Sequence, residues 1–162
     1  MSSTAAATKA NTALKRRALR FDSWADVLAD ADQLASSGYD RVGQLSLGQN
    51  CSHLAIVLEC ALDGFPTRWP LPMRLIARWL VLPKMLRHEP TKLKVKAPAF
   101  AKQEEPVDDA VGVERLRKAI GRFSAPDAEY VDHLVFGKLT PDQWKHQQLW
   151  HCEHHLSFLI PK

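Results

Sequence analysis

Thr140-Pro141-Asp142-Gln143-Trp144-Lys145-His146-Gln147-Gln148-Leu149-Trp150-His151-Cys152-Glu153-His154-His155-Leu156 is the stretch on which the reading of this 162-residue chain turns. Its opening is a helix start: Thr140 offers a capping hydroxyl, Pro141 suits the first turn, Asp142 complements the positive end of the helix dipole and Gln143 closes a capping box. The helix is expected to run to about Ile160, ahead of Pro161. On it His151 and His155 stand at i, i+4, so their side chains leave one face a turn apart, about 6 Å along the axis. That spacing can place two imidazoles on one metal ion.

Two histidines alone make a poor site. The best third ligand is His53, on a second expected helix whose core face is otherwise apolar (Leu54, Val57, Cys60, Ala61). Three neutral nitrogens leave coordination positions open, as catalytic sites require. A His-rich helix also acquires such a pair by chance or hydrogen-bonds it within the core, and spacing leaves both readings standing. The pattern is not HExxH, because Cys152 follows His151 and Glu153 lies about 200° round the helix. His154, about 100° from His155, is expected to face a neighbour or solvent, with a fourth-ligand role open to it or to Cys60 if that assignment fails. His146 points off the line, and His88 and His133 are expected in loops, His133 as a surface residue, with service to a substrate near the lip of the bundle as its alternative.

Around His53, Gln49 shares its face and either hydrogen-bonds a ligand from behind or serves only as a cap. Cys60 lies on that face too, where an inert buried thiol is favoured over a nucleophile. Trp144, seven residues before His151, is expected as an apolar wall beside the ion.

Working outward, a first helix is expected over about residues 23–35, with Trp24, Val27, Leu28, Ala31 and Leu34 at helical spacing behind Asp22 and Ser23. The second begins at a capping box, Ser46 with Gln49, and stops at Asp63-Gly64. A further helix runs from residue 107 or 108 to residue 123, with Val111, Leu116 and Ile120 on its apolar side. No alternation long enough for a sheet and no fixed-period repeat is visible. The fold expected is therefore all-α: a four-helix bundle with a long Pro-containing connection, residues 65–106, between helices 2 and 3. Within it, residues 73–82 are expected as a short helix across the bundle mouth or against a partner, and residues 92–101 as a basic extended stretch. Trp79 and its neighbours are expected to cover the core. The alternative sets Trp69, Met73, Leu75, Ile76, Trp79, Leu80, Leu82 and Met85 against a membrane surface or partner, with Arg74, Arg78 and Lys84 toward headgroups. The stretch is too short and too charged to span a bilayer, and membrane association is not expected.

Composition bounds the rest. With 46% hydrophobic residues, and 22 Lys and Arg against 18 Asp and Glu, the chain fits one ordinary domain, and nucleic-acid binding is not expected. Three cysteines without a CxxC pair give neither a disulfide framework nor a cysteine zinc site, and point to a reducing compartment. Residues 1–20 carry no acid and read as a flexible tail before a single domain at 21–162. No apolar run follows Arg16-Arg17, so no secretory or twin-arginine signal is read and a cytoplasmic location is expected. An organelle-targeting peptide shares that composition.

The segments Ser46-Leu47-Gly48-Gln49-Asn50-Cys51-Ser52-His53-Leu54-Ala55, Phe136-Gly137-Lys138-Leu139-Thr140-Pro141-Asp142-Gln143-Trp144 and His151-Cys152-Glu153-His154-His155-Leu156 together resemble the DinB/YfiT-like metalloenzyme superfamily. The resemblance covers roughly residues 15–162 and is closest to a branch classed as a domain of unknown function. It implies a four-helix bundle whose metal is held by one His of the second helix and an HxxxH pair of the fourth, here His53, His151 and His155. It implies zinc, nickel or iron, a small-molecule substrate and a homodimer. The reaction it implies is thiol S-transfer or isomerisation with a low-molecular-weight thiol cosubstrate such as mycothiol or bacillithiol, with metal-dependent hydrolysis beside it. A metal-binding or interaction module without turnover is the alternative.

Overall fold

In a computed structural model of the chain, residues 15–89, 98–103 and 105–162 are described. Residues 1–14 and most of the stretch expected to be basic and extended lie outside them. The order of elements is α1 (Trp24–Ser37), β1 (Tyr39–Arg41), α2 (Leu47–Asp63), α3 (Leu71–Leu80), α4 (Leu82–Leu86), a 3-10 turn (Ala99–Ala101), α5 (Asp109–Phe123), α6 (Pro141–Leu156) and β2 (Leu159–Pro161). The protein is mostly helical, with one small two-stranded sheet.

The long helices start where side chains accept the unpaired N–H groups of a first turn. Ser23 with Asp26, Ser46 with Gln49 and Thr140 with Gln143 form complete capping boxes, and Asp108 caps α5. α2 and α5 pack most extensively, and α1 and α6 each lie against α2. Leu34, Leu54, Leu58, Leu116, Phe123, Trp144 and Leu156 fill the interior between these four helices.

Two glycines set the α2–α5 spacing. A Cβ on Gly112 would stand 2.4 Å from Gly48 O, and one on Gly48 would stand 2.3 Å from Val107 O. At this crossing Asp109, the first residue of α5, accepts from Gly48 N at 2.8 Å and from the Tyr39 hydroxyl at 2.9 Å. The Tyr39 oxygen in turn accepts from Leu47 N at 2.9 Å. The start of α2, and so the depth at which His53 sits, is thereby fixed by α5 and β1.

Several expectations give way. β1 and β2 pair antiparallel, Asp40 opposite Ile160, where no strand was read. Three residues a side are too few for alternation to register, and Gly38, at φ +73°, turns the chain out of α1 into the pairing. The same pairing stops α6 at Leu156 instead of near Ile160. The short helix expected at 73–82 is two helices, α3 and α4, parted at Val81, with Pro83 in the first turn of the second. On α5, Val111 is 62% exposed and Val113 takes the core position. Of the neighbours of Trp79 expected over the core, Leu82 is buried in it and Trp69 and Met85 pack against it, but on α3 itself only Ala77 is buried and Trp79 is 78% exposed.

Part of the stretch expected as a tail runs along the end of α6. Arg17 forms a two-pronged pair with Asp30, at 2.7 and 2.8 Å, and its amide donates to Ser157 O at 3.0 Å. Arg16 donates to His154 O at 2.8 Å. No helix among the described residues is long and apolar enough to cross a membrane.

Candidate metal centre

α2 brings His53 inward because that helix is buried on nearly every side, and α6 presents His151 and His155 a turn apart on the face that meets it. The three offer ligand atoms that all lie within 4.8 Å of one another, and together they could hold a metal ion. His53 Nε2 and His151 Nε2 are 3.3 Å apart. The ring centroids of His53 and His155 are 4.4 Å apart, and those of His151 and His155 are 4.7 Å apart. His53 is buried, while His151 and His155 are half-buried.

Each ring has an oxygen behind it. His53 Nδ1 is 2.7 Å from Ala101 O of the 3-10 turn. A carbonyl only accepts, so this nitrogen carries the proton and Nε2 keeps its lone pair. His155 Nδ1 is 3.1 Å from Asn50 Oδ1. The Asn50 amide nitrogen donates to Ser46 O at 2.9 Å and to Leu45 O at 3.3 Å, which fixes the oxygen as the atom facing His155. His151 Nδ1 has Gln148 Oε1 at 3.5 Å, a longer contact. Gln148 is fully buried, and its Nε2 has no hydrogen-bond partner among the described residues.

Burial holds all three imidazoles below their ordinary pKa, and for His151 and His155 the charge on neighbouring histidines adds to it. Neutral rings whose Nδ1–H groups point outward turn their lone pairs toward one another. Those lone pairs repel unless a cation lies between them, and burial disfavours a proton in that role. A divalent ion answers all three at once, so the donor set fits a metal.

The other candidates fall elsewhere. Gln49 stays at the helix start: its Oε1 accepts from Ser46 N at 2.9 Å and its Nε2 donates to Gln103 O and Glu105 O. Asn50, the next residue, does what was expected of it. Cys60 is outside the group, and burial raises its thiol. Trp144 packs against Phe65, Phe123, Tyr130 and His133 instead of walling the three imidazoles. His154 turns to the N-terminal segment, with Nδ1 3.1 Å from Arg16 Nη2 and its ring stacked on Trp150. Glu153 faces away as expected, accepting from Phe21 N at 2.7 Å and bonding His88 Nδ1 at 2.6 Å.

His88 and His133 lie outside the helices, as expected, but His133 is not the surface residue expected. The His88 side chain is closed in by that Glu153 contact. His133 is 4% exposed, and its Nδ1 accepts from Val135 N at 3.0 Å and Phe136 N at 3.1 Å, closing its own turn. A pocket of about 460 Å³ opens between the N-terminal segment and the end of α6, lined by Arg16, His88, Trp150, Glu153 and His154 among others. None of the three clustered histidines lines it.

A family model described as "Protein of unknown function (DUF1569)" matches residues 13–162. No curated protein and no solved structure matches the chain.

Proposed function

The chain belongs to the DUF1569 family, and from that premise we propose that His53, His151 and His155 hold one divalent metal ion in a DinB/YfiT-like four-helix bundle, and that the centre acts as an enzyme on a small molecule. The four helices of the bundle are α1, α2, α5 and α6. The observation that carries the reading is the common polarity of the three rings, each with Nδ1 against an oxygen and Nε2 left for a shared centre. Imidazole nitrogens suit zinc, nickel or iron.

Bound there, such an ion supplies Lewis acidity that lowers the pKa of a thiol or water at its open positions. The chain's own residues do the remaining work. Ala101 O and Asn50 Oδ1 hold the Nδ1 protons and aim the rings. His151 and His155 are half-buried and His53 is buried, so a small molecule would approach the ion from the side of the α6 pair. No Asp or Glu among the described residues joins the group, and Glu153 is committed to Phe21 N and His88. With no carboxylate placed as a base, a nucleophile that ionises easily is favoured over water, and a low-molecular-weight thiol, with a pKa near ~8.5, meets that need. Thiol S-transfer is therefore the leading reaction and hydrolysis the second. Three free cysteines suit a reducing, cytoplasmic setting.

The test is turnover by metal-loaded protein given a low-molecular-weight thiol and a chromogenic electrophile. Thioether formation that disappears on chelation and in His155→Ala supports thiol transfer. Metal-dependent cleavage of an activated ester without thioether formation moves the assignment to hydrolysis, and neither activity removes the enzyme reading.

A further inference from the structure

α3 wears its amphipathicity inside out. At about 100° per residue, Leu71, Met73, Leu75, Ile76, Trp79 and Leu80 sweep an arc of about 200°, and all of them are exposed. The inward arc holds Ala77 and two arginines. Arg78 Nη1 donates to Phe136 O at 2.9 Å and to Lys138 O at 2.6 Å, and Arg74 lies 3.5 Å from Asp132. Just before the helix, Trp69 N donates to Leu134 O at 3.1 Å. The helix is thus fastened by its polar side to residues 132–138, and its apolar side is held out in water. Contiguous exposed apolar surface of this kind marks an interaction site.

Charge decides among the occupants. Residues 65–89 carry five Lys and Arg (Arg68, Arg74, Arg78, Lys84 and Arg87) and one acid, Glu89, which is bonded to Arg87. Arg68 and Lys84 stand exposed beyond the two ends of α3, and Lys138, whose carbonyl is one of the two that hold the helix, is exposed as well. A second copy seated on the same face would bring these cations against their own counterparts. A layer of anionic headgroups would complement them while the apolar arc enters the acyl boundary. Ten residues span about 15 Å, half a bilayer core, so the helix lies on a membrane without crossing it.

We propose that α3 is a docking face for an anionic lipid surface. The assignment is independent of the metal centre. Full-length protein is sedimented with vesicles of phosphatidylcholine alone and of phosphatidylcholine mixed with phosphatidylglycerol, at low and high salt. Pelleting with the anionic vesicles at low salt, reduced several-fold at high salt, is the expected result. Tryptophan emission shifts to the blue on binding, and Trp79→Phe keeps the pelleting while losing most of that shift. The double variant Ile76→Glu, Trp79→Glu, shown to keep its helicity and metal uptake, stays in the supernatant. Wild type left in the supernatant at low salt overturns the proposal, as does undiminished pelleting of the double variant. A vesicle-free dimer that the double variant dissolves assigns the face to a second copy and overturns it equally.

Discussion

Asn50 and Gln49 differ by one position on α2 and by everything they do. Asn50→Ala removes the acceptor behind His155 and is expected to weaken metal binding by about 10–100-fold, read by competition with a chromophoric chelator. Gln49→Ala is expected to leave affinity unchanged and to cost roughly 1 kcal/mol of stability through the lost cap. Equal effects of the two on affinity would contradict the assignment. The His151–His155 pair was legible because an i, i+4 spacing on a strongly capped helix is a local pattern. The supports of the three rings were not: only Gln148, three residues before His151, is local to its histidine, while Asn50 reaches His155 from the other helix and His53 is held by the backbone carbonyl of Ala101. His133 was misread because its partners are the amides of its own turn. Burial, with Arg74 nearby, lowers its pKa to about 3. The unfolded chain's histidine titrates near ~6.5, so between those values only the unfolded chain binds the proton, and stability falls as pH drops through that window. His133→Asn should flatten the decline, seen in urea denaturation between pH 6.5 and 4.5, by up to about 1.4 kcal/mol per pH unit.

At the scale of elements, the α2–α5 crossing makes the sharpest demand. Gly112→Ala gains at most ~1 kcal/mol of helix propensity but drives a methyl into the α2 backbone, where neither side can give. A net loss of about 2–3 kcal/mol or more is expected, with weakened metal binding because α2 carries His53. Gly121→Ala on the same helix meets nothing within 4 Å and should stabilise by roughly 0.5–1 kcal/mol. Chemical denaturation of the pair checks the claim, and a stabilised Gly112→Ala would refute it. Helix starts were legible because Ser23, Ser46, Asp108 and Thr140 act on their own first turns. Helix ends and the sheet were less so: Leu159–Pro161 leaves the helical path to pair with Tyr39–Arg41, more than a hundred residues earlier in the chain. α6 itself has a blurred apolar stripe, since Gln148, His151 and His155 occupy its inward face.

Across the whole molecule, α2 and α6 are packed by a common apolar interior that sets the distance between His53 and the HxxxH pair. That arrangement could be anticipated from sequence in kind, a His on one helix facing a pair on another. The outward face of α3 stood in the sequence only as the alternative to a core-covering helix, and Arg74 and Arg78, set there toward headgroups, instead fasten the opposite side to residues 132–138. The centre itself is tested most directly by elemental analysis of purified, untagged protein beside a His53→Ala, His151→Ala, His155→Ala variant that stays helical by circular dichroism. About one equivalent of zinc, nickel or iron per chain in the wild type, and none in the variant, is the expected result. Wild type that remains metal-free after reconstitution with all three metals, or a variant that holds as much metal as the wild type, would contradict the assignment.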